Sequence, residues 1–342
     1  MELTVGAASA LRLHWRPFAL ALPQPLHTAR GVLQRKQGWL LRLEAPSGRL
    51  GWGEAAPLDG DLAPVEAAIQ GLGASRHRHD LEATLAGGAL PAALAFALGA
   101  ALAECAGLPH ERWRPAPCSA LLLPAGPAAI PALEAALAGP HPPAGSVDGG
   151  GGGGACFKWK VAVFPDGEER QLLERLLERL PAAARLRLDA NGGWERATAA
   201  AWARRLADER RLDWLEQPLD PADAAGLAAL AARFPAVPIA LDESLQLDPS
   251  LRHRWSGWQV RRPSQEGDPR PLLAELERGR PRLMLSTGFE TGIGARWLHH
   301  LAALQARGPT PTAPGLAPGW SPPGELAAPD PERVWRAAGA VP

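Results

Sequence analysis

Hydrophobic and polar positions along the chain follow two patterns, and the change between them falls near residue 116. In the first part, residues 11–20 and 32–44 read as extended segments, with Trp39, Leu41 and Leu43 set against Leu40 and Arg42. That is the two-residue period of a strand. Pro46-Ser47-Gly48 reads as a turn. Residues 63–74 and 91–105 are rich in alanine and leucine at helical spacing, the second with Pro91 as its first helical residue. Strands followed by helices predict an α+β unit over residues 1–115.

From Cys118 onward, short apolar runs are each followed by a helical segment. The runs are Ser119–Leu123, Phe157–Val163, Leu186–Ala190, Trp214–Glu216, Ile239–Leu241, Trp258–Arg262 and Arg282–Ser286. Strand and helix alternating in this way predict a parallel α/β barrel over residues 116–320. The polar residues ending six of these runs, Lys160, Asp189, Glu216, Asp242, Arg262 and Ser286, are 29, 27, 26, 20 and 24 positions apart. Each interval fits one βα unit, so all six would ring the C-terminal mouth, where barrel enzymes place their chemistry. The stretch 139–154 interrupts the pattern with Pro140-His141-Pro142-Pro143 and a run of glycines from Gly149. It lacks the lysine and hydroxyl spacing of a phosphate loop and reads as a flexible linker.

Charge narrows the partners. Lys and Arg number 36, and so do Asp and Glu, so no overall field draws the chain to nucleic acid or to an anionic membrane; a small molecule is the expected partner. No run of about 18 uncharged apolar residues occurs and no basic segment precedes an apolar one at the N-terminus, which predicts a soluble, cytoplasmic protein. Cys105, Cys118 and Cys156 form neither a C-x-x-C pair nor an even disulfide framework and read as small buried or half-buried side chains. The sequence sets no oligomeric state, with a monomer slightly preferred.

Candidate chemistry lies at the strand ends. Asp189 in Leu-Asp-Ala-Asn, Glu216 in Leu-Glu-Gln-Pro and Asp242 in Leu-Asp-Glu-Ser end three successive runs. Singly, each would be read as a helix cap. Three carboxylates converging in a barrel mouth repel one another unless a hard divalent cation sits among them, and oxygen donors suit Mg²⁺. In Lys158-Trp159-Lys160, alternation puts both ammonium groups on one face, inward if Trp159 points outward. Lys160 reads as a general base, with Mg²⁺ holding the substrate carboxylate and stabilising the enediolate formed on proton loss.

The Lys-x-Lys strand, the Asp-Ala-Asn, Glu-Gln-Pro and Asp-Glu-Ser strand ends, and Gly51-Trp52-Gly53-Glu54-Ala55-Ala56-Pro57 together resemble the enolase superfamily, muconate-lactonising subgroup. Leu121-Leu122-Leu123-Pro124-Ala125-Gly126, Phe157-Lys158-Trp159-Lys160, the run Ser286 to Gly294 and Pro314-Gly315-Leu316 resemble the o-succinylbenzoate synthases, particularly their cyanobacterial or plastid-type branch. The resemblance covers nearly the whole chain. It implies an enolase-like α/β fold: an N-terminal α+β capping domain, a modified TIM barrel of (β/α)7β form, and a C-terminal segment of about 320–342 returning to the cap.

The resemblance also implies roles. Lys160 is the base, Asp189, Glu216 and Asp242 hold Mg²⁺ with Mn²⁺ as a substitute, and substrate contacts fall to Lys158, Asn191, Ser286, Thr287, Gly288, Thr28 and Arg30. Thr28 to Gly31 belong to a mobile loop closing over the substrate. The chain departs from the family at Arg262-Pro263, where a lysine usually precedes the proline. An arginine stays protonated, so Arg262 would stabilise charge on the intermediate, packing its cation on the ring. The implied reaction is dehydration of a cyclohexadiene carboxylate to o-succinylbenzoate in menaquinone or phylloquinone synthesis. Its rivals are an N-acylamino-acid racemase or dipeptide epimerase, which needs a second proton donor at Arg262, and a catalytically inactive barrel kept as a binding protein.

Overall fold

The alternating stretches near the N-terminus pair into an antiparallel sheet. In the computed structural model, which describes residues 10–28, 31–58, 60–109, 112–139, 154–322 and 324–338, its strands are β1 (Ala10–Thr28), β2 (Gly31–Glu44), β3 (Leu50–Ala55) and, after helix α1 (Ala63–Leu72), the short β4 (Ser75–His77), in the order β3-β2-β1-β4. Helices α2 (Arg78–Ala86) and α3 (Ala92–Cys105) follow. Leu11, Leu13, Leu41 and Leu43 share one face and pack with Leu94, Ala97, Leu98 and Ala101 of α3. Gly51 and Gly53 allow that approach, because a Cβ on either would lie about 2 Å from a carbonyl oxygen of α3. Pro91 stands just outside α3, at its N-cap with extended ψ, and not as its first helical residue. Helix α2 went unanticipated; it buries only Leu81 and so carries almost no apolar stripe.

The other face of this sheet meets the end of the chain. Phe18, Leu20, Leu40 and Trp52 pack with Val334, Trp335 and Ala338 of the C-terminal helix (Pro331–Ala338). The Arg16 guanidinium donates to the Trp335 carbonyl at 2.6 Å and lies over the Trp335 ring. The β1–β2 pairing runs to Thr28 opposite Gly31, so the two ends of the expected loop belong to strands, while Ala29 and Arg30 between them lie outside the described residues. The side chain of Thr28 lies outside them too, as does most of the glycine-rich stretch, residues 140–153.

The second sheet holds seven parallel strands in chain order: β5 (Leu121–Leu123), β6 (Cys156–Lys160), β7 (Arg185–Asp189), β8 (Leu212–Glu216), β9 (Ile239–Leu241), β10 (Trp258–Arg261) and β11 (Leu283–Leu285). Between them run α4 (Ala129–Ala138), α5 (Asp166–Arg179), α6 (Arg196–Leu206), α7 (Ala224–Arg233), the short pair α8 (Glu243–Leu247) and α9 (Leu251–Arg254), and α10 (Pro269–Glu277), with α11 (Gly292–Gln305) after β11 and the C-terminal helix as α12. Leu123, Trp159, Leu188 and Leu215 point outward into the layer of helices and are fully buried. Trp159→Ala would cost about 3–5 kcal/mol.

The segment 314–316 closes the ring. Gly315 forms a parallel bridge with Ser286 and donates to Leu285, while Ala120, just before β5, donates to the Pro314 carbonyl. Seven βα units and this bridged segment, in the place of an eighth strand, make the (β/α)7β barrel. No helix among the described residues is long and apolar enough to cross a membrane.

Candidate active site

Register assembles the site. Lys160 pairs with Asp189, and Asp189 with Glu216, across β6, β7 and β8. Because Phe157, Trp159 and Val161 face the helices, Lys158 and Lys160 turn into the barrel. The Lys158 ammonium lies 2.7 Å from Asp189 Oδ2 and 2.6 Å from Glu216 Oε1. Burial disfavours its charge, yet the Asp189, Glu216 and Asp242 carboxylates outweigh that and hold its pKa above the usual lysine value. The Lys160 side chain, part-exposed on the same face, has no hydrogen bond or ion pair among the described residues.

Asp242 opens α8 and is locked from the neighbouring unit. Gln217 Oε1 accepts from the backbone N–H groups of Asp242 at 3.2 Å and Ser244 at 3.1 Å, while Gln217 Nε2 donates to Ser244 Oγ at 2.7 Å. Arg262, one residue past β10, sends Nε and Nη2 to the two oxygens of Asp242 and Nη1 to the Thr287 carbonyl. Burial works against its charge, but Asp242 prevails and raises its pKa. Arg262 thus stands at the mouth with its cation engaged by Asp242.

Other predicted contacts are held by partners within the protein. Asn191, at φ 44°, directs its amide to Glu243 Oε1 at 3.0 Å. Burial, with the charges of Asp242 and Asp189, pushes Glu243 up to about 8. The Ser286 hydroxyl faces the Gly315 carbonyl, the Thr287 hydroxyl donates to Glu290 Oε2 at 2.6 Å, and the Gly288 N–H donates to Glu290 Oε1 at 2.8 Å. Cys118 is exposed, against the expectation of burial; Cys105 and Cys156 are buried.

Several functional candidates went unread in the sequence. Lys36 of β2, 1% exposed, donates to the Gly288 carbonyl, so the cap reaches the turn after β11. Glu54 accepts from Thr291 N, Thr291 Oγ1 and Gly294 N at the start of α11, where the helix dipole favours a carboxylate; burial nonetheless pushes it up to about 7. Leu122, paired with Lys158 across β5 and β6, is 51% exposed and gives the mouth an apolar wall. Glu54 and Leu122 lay within noted motifs, Gly-Trp-Gly-Glu and Leu-Leu-Leu-Pro-Ala-Gly, but without a role; Lys36 carried no signal.

The donor set fits a hard divalent cation. Glu216 is fully buried and pushed up to about 7, first by burial and then, against Lys158, by the charges of Asp189 and Asp242. Added positive charge relieves such crowding, and all three side chains offer oxygen. As they stand, no group of three or more His, Cys, Asp or Glu among the described residues is gathered tightly enough to ligate an ion; Lys158 and Arg262 hold these oxygens instead.

Comparison with known proteins agrees with the fold. Residues 151–253 match the family described as enolase C-terminal domain-like. The o-succinylbenzoate synthase of Thermosynechococcus vestitus is 35% identical over 302 residues, covering 85% of this chain and 88% of that one. The crystal structure of o-succinylbenzoate synthase from Thermosynechococcus elongatus, complexed with Mg in the active site, superposes with a TM-score of 0.78 at 33% identity, covering 95% of this chain and 99% of that one. The L-Ala-D/L-Glu epimerase of Bacillus subtilis, at 22% identity, a TM-score of 0.67 and 90% and 89% coverage, shares the fold. The chain belongs to the o-succinylbenzoate synthases, carbon–oxygen lyases of the enolase superfamily.

Proposed function

We propose that the chain catalyses Mg²⁺-dependent syn dehydration of 2-succinyl-6-hydroxy-2,4-cyclohexadiene-1-carboxylate to o-succinylbenzoate, a step of menaquinone or phylloquinone synthesis. The observation that carries this reading is the division of labour among the three cations at the barrel mouth. Lys158 is engaged by Asp189 and Glu216, Arg262 by Asp242, and the Lys160 side chain has no partner among the described residues. One lysine is therefore positioned to exchange a proton with substrate.

Lys160 removes the proton α to the substrate carboxylate, and the electron pair moves toward that carboxylate as an enediolate. The ring C–O bond then breaks, the ring becomes aromatic, and the Lys160 ammonium returns its proton to the departing hydroxide as water. Both events occur on one face, as syn elimination by a single base requires. Asp189, Glu216 and Asp242 would hold Mg²⁺, which when bound supplies Lewis-acid charge for the substrate carboxylate. Leu122 offers its exposed apolar side chain to the ring, and Arg262 keeps Asp242 oriented while leaving a positive charge beside the mouth.

The test is turnover of the cyclohexadiene substrate before and after chelation. Activity should vanish with the divalent ions and return with Mg²⁺. Asp189→Asn, Glu216→Gln and Asp242→Asn should each lower it by orders of magnitude. Full activity after exhaustive chelation would refute the three-carboxylate assignment.

A further inference from the structure

Beneath the layer of Lys160, Asp189 and Glu216 lies a second inward layer, in which Arg187 pairs directly with Trp214 across β7 and β8. Both side chains are fully buried. The Trp214 ring stacks on Trp258 with centroids 4.8 Å apart and planes 30° from parallel, and the Arg187 guanidinium carbon lies 4.1 Å from the Trp214 ring centre. Arg187 is itself fixed by Asp213 at 3.1 Å and by Thr312 Oγ1 at 2.7 Å. The Trp214 ring is therefore held by its neighbours.

Trp214 and Glu216 are two residues apart on one strand and share its inward face. The indole N–H, which can only donate, points at Glu216 Oε2 at 3.2 Å. Lys158 donates to the other oxygen, Oε1, at 2.6 Å. Two donors on two oxygens fix both the position and the rotation of this buried carboxylate. A cation on the indole face draws electron density from the ring and strengthens its N–H as a donor.

We propose that Trp214 is a positioning residue: clamped by Arg187 and Trp258, its indole N–H orients Glu216 for metal binding. The proposal rests on the reading of Glu216 as a metal ligand. Partners of this kind alter metal affinity by about 10–100-fold when removed.

The test is Mn²⁺ binding, read from the paramagnetic signal of the free ion, in the native protein and in Trp214→Phe, Trp258→Phe and Glu216→Gln, with thermal melts of each. Trp214→Phe, which keeps an aromatic ring and loses the N–H, should bind Mn²⁺ at least about tenfold more weakly. Its dehydration kcat should recover toward native at saturating metal. Trp258→Phe, which keeps a stacked ring and leaves the Trp214 N–H in place, should weaken binding less than Trp214→Phe does, even if it melts earlier. If Glu216→Gln binds normally, the ligand assignment falls, and the proposal with it. If Glu216→Gln loses binding while Trp214→Phe stays within twofold of native, the ligand assignment stands and the proposal is overturned. Should Trp214→Phe not fold, the native protein with ¹⁵N-labelled indoles answers: saturation with diamagnetic Mg²⁺ should shift the Trp214 indole N–H resonance, identified by its through-space contacts to the stacked Trp258 ring, and a Trp214 resonance that Mg²⁺ leaves in place would contradict the proposal.

Discussion

Arg262 grips Asp242 through two parallel hydrogen bonds, Nε to Oδ1 at 3.1 Å and Nη2 to Oδ2 at 2.5 Å, with the carboxylate only 2% exposed. Such a fork-to-carboxylate pair is strong and directional, and removing one partner from a buried pair typically costs about 3–5 kcal/mol because the other charge is left alone. Arg262→Met should therefore lower both the melting temperature and kcat, the latter by at least about tenfold if Asp242 is lost as an oriented group. Arg262→Lys keeps the charge and should retain most of the dehydration. Native kcat in Arg262→Met would remove this arginine from the mechanism.

The same pair bears on the rival racemase reading. Racemisation needs a proton donor on each face of the enolate, and a guanidinium does not release its proton near neutral pH. In D₂O, an N-succinylamino acid should exchange its α-proton in at most one enantiomer, with no net racemisation, as followed by NMR and polarimetry. Rapid racemisation by the native protein would favour the epimerase-like alternative.

The strand ends were legible because their chemistry is local. A period of two places Lys158 and Lys160 together inside the barrel once Trp159 is outward, and Asp189, Glu216 and Asp242 each end an apolar run that could only be a strand. What stayed hidden is long-range or lacks a period. Lys36 meets Gly288 from 252 residues away, and the bond from Trp214 to Glu216 looks in sequence like any tryptophan in a strand. The closing segment at Gly315 is a single bridge with no alternation to read, and Arg262's grip on Asp242 depends on how two neighbouring strand ends turn.

Thiol reactivity should follow burial. Burial pushes the Cys105 thiol up to about 11 and the Cys156 thiol up to about 12, whereas Cys118 is exposed, and it is the thiolate that reacts. Brief alkylation at pH 8 should add one group to the folded protein, at Cys118, and three after denaturation, counted by mass spectrometry.

Glu54 gives the fold a pH dependence. Its folded-state pKa of about 7 lies above the ordinary carboxylate value of 4.5, so the folded form binds more protons than the unfolded one between those values. Its contribution is therefore lost as pH rises through that window. Glu54→Gln, uncharged throughout, should gain stability relative to the native protein from pH 5 to 7 and hold a constant difference above about pH 8. Melting curves across that range measure it, and a difference independent of pH would refute the shift.

The role of Lys160 is tested most directly by the dehydration itself. Native protein and Lys160→Met are compared on the cyclohexadiene carboxylate with saturating Mg²⁺, the loss of substrate being followed in the ultraviolet. The native protein should turn over, and Lys160→Met, with an unchanged melting temperature, should lose at least about a hundredfold in kcat, the least expected of a positioned general base. No turnover by the native protein, or near-native turnover by Lys160→Met, would contradict the account.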